Sequence, residues 1–159
     1  MPVSDGSGTV GAMTSRTPIS AATMIATPTV APHPAATGGT LTRGQIGALG
    51  ESLAAEYLTA KGLRIVERNW RCRYGELDII ACDDIPATVI FIEVKTRTGD
   101  GFGGLAHAVT PAKVRRLRRL AGLWLAGQDR NWAGLRIDMV GVRIGRQRTP
   151  EIIHLPGIS

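Results

Sequence analysis

Residues 75–97 read GELDIIACDDIPATVIFIEVKTR, and the fold follows from this run. Glu76–Ala81 and Thr88–Val94 are dense in Ile, Val and Leu, which suit a pleated, half-buried surface. Between them, Cys82–Ala87 carries two aspartates and a proline, the composition of a turn. Along Thr88–Lys95, strand alternation puts Ile90, Ile92 and Val94 on one face and Val89, Phe91, Glu93 and Lys95 on the other. Folding the turn as a hairpin centred between Ile85 and Pro86 brings Asp78 opposite Glu93. Side chains directly opposed on antiparallel strands have Cβ atoms about 5 Å apart, on the same face. Two carboxylates that close repel unless a proton or a cation sits between them. A hard divalent cation such as Mg²⁺ is the expected occupant. The same residues would also serve a cross-strand salt bridge, but Val89 and Phe91 make their face apolar.

Upstream, Thr42-Arg43-Gly44-Gln45 fits a capping box, and Ile46, Leu49, Leu53 and Tyr57 mark one face of a helix ending near Gly62. Glu51 shares a stripe of that helix with Gly47, Ala54 and Leu58, so it is a candidate to lean over the sheet towards Asp78 and Glu93. Leu63–Asn69 reads as a strand leading into Trp70, Arg71 and Arg73. These arginines, with Trp70, could stack on and pair with a polyanion strand, or simply belong to an edge strand.

Downstream, Gly99–Gly104 holds four glycines and reads as a loop. Thr110-Pro111 opens a second helix that runs to about Ala126. Its apolar stripe is Val114, Leu117, Leu120, Ala121, Trp124 and Leu125, with Arg115, Arg116 and Arg119 on the opposite side. Lys113 falls beside Leu117 and Trp124 in the first turn, where its ammonium could meet the acids, a bound phosphate or solvent. Arg136–Ile144 and Glu151–Leu155 complete the strands. Asp138 there has Arg136 as a ready partner, and His33, His107 and His154 show no metal-ligand spacing. The order α-β-β-β-α-β(-β) defines an α/β fold, a mixed central sheet flanked by helices.

Residues 1–40 differ sharply from the rest. Ala, Thr, Pro, Ser and Gly dominate them, and Asp5 and Arg16 are their only charges. They are read as a disordered tail, with Met13 and Met24 as later candidate starts, ahead of one domain over residues 41–159. The chain carries 19 Lys+Arg against 13 Asp+Glu, a net charge of +6 that points to a polyanion partner. No apolar run is long enough for a bilayer-spanning helix. Cys72 and Cys82 form no CxxC pair, which disfavours a disulfide framework or thiolate zinc site and suits a reducing cytoplasm.

Gly75–Ile80 (G-E-x-D-x-I), Glu93–Arg97 (E-V-K-T-R) and helical Glu51 together resemble the YraN family of endonuclease-like proteins, within the PD-(D/E)xK nuclease superfamily. The likeness runs from about Arg43 to Val142 and takes in Arg68–Arg71, Phe102-Gly103, Lys113 and Arg136–Val140. Leu77 stands where the wider superfamily has a proline, as is usual in this family. The resemblance implies a restriction-endonuclease-like core and Mg²⁺- or Mn²⁺-dependent cleavage of nucleic acid, DNA above all, including branched DNA. It also implies that Asp78, Glu93 and the Val94 carbonyl bind metal, with Glu51 as an outer or additional ligand. Lys95 would orient or deprotonate the attacking water, while Arg97, Lys113 and the Arg116 face hold phosphates. Resolvase-like relatives pair up, so a homodimer is an option. The alternative is a nucleic-acid-binding protein on this fold, with a weak or silent site, acting through a partner.

Overall fold

A computed structural model describes residues 24–26, 41–99, 105–145 and 149–158. The elements are β1 (Met24–Ala26), α1 (Arg43–Ala60), β2 (Arg64–Cys72), β3 (Gly75–Asp84), β4 (Ala87–Thr98), α2 (Pro111–Leu125), β5 (Gly134–Ile144) and β6 (Glu151–Leu155). They build one mixed sheet in the order β1-β6-β5-β4-β3-β2, with β4 and β5 parallel and every other neighbouring pair antiparallel. The α-β-β-β-α-β arrangement agrees with a restriction-endonuclease-like α/β fold. Among the described residues no helix is long and apolar enough to cross a membrane. One correction falls within residues 1–40: Met24–Ala26, expected as tail, pairs with β6 as a short edge strand. The remainder of that stretch, and residues 100–104 of the glycine-rich loop, lie outside the described residues.

Local chemistry explains the boundaries. The Thr42 side chain accepts from the Gln45 amide (3.3 Å), and the Gln45 side chain accepts in return from the Thr42 amide (2.8 Å). Two of the helix's unpaired donors are thereby satisfied. Gly62, at φ +89°, follows the end of α1 in a conformation that costs glycine little. Thr110 caps α2 by accepting from the Lys113 amide at 3.2 Å, and Pro111 starts the helix with its φ already set. The β3–β4 hairpin turns between Ile85 and Pro86, with register pairs from Asp84↔Ala87 to Ile79↔Ile92. The strand pairing expected from the sequence is the one observed.

Each helix covers one face of the sheet. Against α1, Leu53, Ala54 and Leu58 bury Ile79, Ala81, Ile90, Ile92, Val140 and Val142. Against α2, Leu117, Leu120, Ala121 and Trp124 bury Leu77, Ile80, Val89, Phe91 and Ile137. The middle strands are therefore apolar on both faces, as a parallel crossover connection requires. Helix α1 lies unusually close to β4, since a Cβ on Gly50 would overlap the Thr96 side chain.

Alternation along β2 breaks between Ile65 and Glu67, where the register with β3 shifts, and again at the level of Asn69 and Asp78. In β2, Glu67 faces α2, where its carboxylate accepts from Trp124 Nε1 (2.8 Å), and Arg68 faces α1, donating to Ser52 Oγ (3.2 Å). Trp70 nevertheless returns to the α2 side. In β3, Ile80 lies on the α2 face and Ile79 on the α1 face, yet Leu77 is again on the α2 face. The skipped residues are Asn69, which adopts a left-handed φ of +54°, and Asp78. Asparagine tolerates that conformation better than most residues, and such an irregularity locally re-aims side chains.

One buried charge is fully paired. Asp138, on β5, has no exposed surface. Its carboxylate accepts from Arg136 (2.9 and 3.0 Å), engages His154 Nε2 (2.9 Å) and accepts from the Gly157 amide (2.9 Å). The Tyr57 ring stands edge-on to His154. Burial pushes the Asp138 carboxyl up, but the donors from His154, Arg136 and Gly157 outweigh it and hold the group below its ordinary value. Asp138→Ala is expected to cost about 1–3 kcal/mol in urea unfolding at pH 7, because the His154 and Gly157 donors lose their acceptor. A depressed carboxyl contributes stability above its unfolded value, so the gap between wild type and variant narrows as pH falls below about 4.

Candidate active site

The β3–β4 ladder stops at Ile79↔Ile92, whereas β4 continues beside β5 to Thr98↔Ile144. Glu93–Thr98 therefore forms one wall of an opening at the end of the sheet. Asp78 occupies the fork. In place of a further backbone rung, its carboxylate Oδ2 accepts the Val94 amide at 2.7 Å. Burial, together with the charges of Glu93, Glu51 and Glu76, pushes its carboxyl up to about 7, although the Val94 amide pulls the other way. The other two carboxylates singled out by the sequence, Glu93 and Glu51, thus each act on Asp78.

Glu93 points towards α2, as strand alternation requires. Only 12% of its side chain is exposed, and each oxygen has a cation: Lys113 Nζ lies 3.1 Å from Oε1 and Arg116 Nη2 lies 3.0 Å from Oε2. Lys113 meets the acid, one of the outcomes its helical angle left open. Arg116 corrects the wheel. Placed opposite the apolar stripe by angle, it reaches round the helix to the same glutamate, because a guanidinium on a long stem reaches well beyond its Cβ direction.

On the α1 side the opening widens into a cavity of about 620 Å³, lined by Arg43, Ile46, Gly47, Glu51 and Val94–Thr98. Lys95, Arg97 and Glu51 are among its lining residues, and along the regularly paired β4 it is Val94 and Thr96 that alternate onto the α1 face. Arg43 was not singled out from the sequence. It lies on one i, i+4 row with Gly47 and Glu51, so extending the Glu51 stripe back by a turn would have found it. Arg71 and Arg73 sit elsewhere, at the β2–β3 turn. Arg71 pairs with Glu76 at 3.1 Å on an exposed surface, where such pairs contribute little. The Arg73 guanidinium stacks on Tyr74.

The donors suit a hard cation. Asp78 and Glu93 offer carboxylate oxygens from adjacent strands, and the acid charges that raise the Asp78 carboxyl are ones a positive ion would offset. Among the described residues no three His, Cys, Asp or Glu side chains group so that they could hold a metal ion. A Mg²⁺-type ion takes one or two carboxylates and fills its other positions with water or phosphate oxygens.

A mixed sheet with helices on both faces and a strand fork beside β4 agrees with a restriction-endonuclease-like α/β fold. A model of the Uncharacterised protein family UPF0102 matches residues 50–142, and the chain belongs to that family, the YraN family its motifs resemble. UPF0102 proteins similar to it occur in Mycobacterium avium (strain 104), 73% identical over 120 residues, 76% of this chain and 94% of the relative. In Mycobacterium ulcerans (strain Agy99) the identity is 71% over 120 residues, covering 76% and 98% of the two chains. In Mycobacterium tuberculosis (strain ATCC 25177 / H37Ra) it is 69% over 123 residues, covering 76% and 96%.

An acid whose folded value is raised holds its proton more firmly folded than unfolded, so it weakens the fold as pH climbs from about 4 through 7. Asp78→Asn keeps an acceptor for the Val94 amide and removes the charge. Its melting temperature is expected to equal wild type near pH 4 and to exceed it by several degrees at pH 8, measured without divalent metal. Parallel pH profiles for the two proteins would show that Asp78 does not titrate as described.

Proposed function

We propose that the protein is a metal-dependent endonuclease that hydrolyses phosphodiester bonds of nucleic acid, DNA in the first place. One observation carries this reading: the raised Asp78 carboxyl and paired Glu93 lie at a strand fork that opens on a cavity lined by Arg43, Lys95 and Arg97. A phosphodiester is itself an anion, so its cleavage needs positive charge at the phosphoryl oxygens and a positioned water. Mg²⁺ or Mn²⁺, held by Asp78, Glu93 and the Val94 carbonyl with Glu51 alongside, would supply Lewis acidity and polarise water there.

The chain's own residues do the rest. Lys95 lines the cavity with Glu51, and its ammonium would donate to a phosphoryl oxygen or orient the attacking water. Arg97 and Arg43 present guanidiniums for bidentate pairing with flanking phosphates. Lys113 and Arg116 hold Glu93 in place and supply positive charge on the opposite side of the fork. The second reading, a nucleic-acid-binding protein with a silent site, draws on one fact: both Glu93 oxygens already have cationic partners.

A panel of linear, single-stranded and branched substrates with Mg²⁺ or Mn²⁺ separates the two readings. The nuclease reading expects wild type to cut, and Lys95→Ala to keep binding while losing about 10²-fold or more in rate. Equal, low cutting by wild type, Asp78→Ala and Glu93→Ala would instead establish the binding module.

A further inference from the structure

Beside the fork, on the α2 side, lies a second cluster that cleavage chemistry does not use. Tyr74, at the β2–β3 turn, leaves 40% of its surface exposed. Two guanidiniums cover its ring: Arg73 Cζ lies 4.6 Å and Arg119 Cζ 4.2 Å from the centroid. The Arg73 guanidinium also donates to the Tyr74 hydroxyl. Cation–π contacts of this kind contribute about 0.5–1 kcal/mol at exposed sites. They also hold two like charges within reach of each other, which is unfavourable unless an anion joins them. Among the described residues no carboxylate pairs with Arg73 or Arg119.

The cluster is continuous with the acids. Arg116 precedes Arg119 by one helical turn on the same side of α2. It spans the gap, with Nη2 on Glu93 Oε2 at 3.0 Å and Nη1 3.4 Å from where a Cβ on Gly75 would lie. Gly75 itself has a φ of +141°, a conformation available essentially to glycine alone, so the turn carrying Tyr74 is fixed in shape. Leu120, buried against Leu77 and touching the same Gly75 position, anchors α2 to the turn. A ridge of positive charge therefore runs from Glu93 through Arg116 to the Arg73–Tyr74–Arg119 stack.

We propose that this stack is a docking site for the sugar–phosphate backbone of nucleic acid, gripping the strand that leads away from the fork on the α2 side. The proposal rests on the nucleic-acid reading of the fork and extends it, since it fixes a direction for the strand. The unneutralised guanidiniums supply the phosphate contacts, and Tyr74 orients them, so that little side-chain freedom is lost on binding. Arg73 and Arg119 sit on different elements, so one strand of backbone would bridge the hairpin turn and α2.

The test measures binding without cleavage. A labelled forked DNA with duplex and single-stranded arms is titrated with full-length protein in EDTA, by fluorescence anisotropy, over a series of salt concentrations. Arg73→Gln and Arg119→Gln remove charge while keeping a planar group over Tyr74. Each is expected to lower the slope of log affinity against log salt by about 0.7–0.9, and the double variant by about twice that. Arg64→Gln, at the other end of β2 and paired with Asp84, controls for net charge and should leave the slope near wild type. Melting temperatures confirm that each variant folds. An unchanged slope in the folded double variant, or an equal drop in Arg64→Gln, would overturn the proposal. Cleavage read separately keeps the two ideas apart: a stack that binds DNA without cutting sinks only the nuclease, and cutting with an inert stack sinks only the docking site.

Discussion

The site depends on one hydrogen bond at the place where two strands part. Asp78 accepts the Val94 amide at 2.7 Å, beyond the last β3–β4 register pair. This side chain-to-backbone contact takes the place of a ladder rung and keeps the carboxylate half-buried among other acids. Burial and like charge then raise its proton affinity. Without the fork, β3 would continue to cover Glu93–Thr98, and the cavity holding Lys95 and Arg97 would not open.

Positive charge surrounds that acidic point on two sides. Helix α1, held close to β4 by Gly50, carries Arg43 and Glu51 over the cavity, while α2 carries Lys113 and Arg116 to Glu93. The same device appears twice: a helix packed tightly on the sheet by small or apolar residues presents a long basic side chain at its edge. Asp138 provides the contrast. Its four donor contacts leave it depressed and structurally committed, whereas Asp78 accepts one backbone amide and keeps like charges for neighbours. One buried and one half-buried aspartate on the same sheet thus have opposite chemistries, set by the donors around them.

Much of this was legible in the residues. The capping box at Thr42, the hairpin centred between Ile85 and Pro86, and the split of Val89 and Phe91 from Ile90 and Ile92 all follow from local rules, and the structure has them. The slip at Asn69 and Asp78 was not legible, because strict alternation would carry Leu77 to the α1 face. At this level the left-handed Asn69 resets that count, and asparagine signals it weakly. The reach of Arg116 to Glu93 was hidden for another reason: a helical wheel locates Cβ atoms, not the ends of long side chains. The β1 pairing escaped because Met24–Ala26 lies in a stretch whose composition resembles a tail.

Whether the fork takes a divalent ion is the point on which the functional account turns, and calorimetric titration of the metal-free protein with Mn²⁺ addresses it directly. The account predicts saturable binding near one ion per chain, abolished in folded Asp78→Asn. No saturable heat from wild type at millimolar Mn²⁺, or identical heats from both proteins, would contradict it.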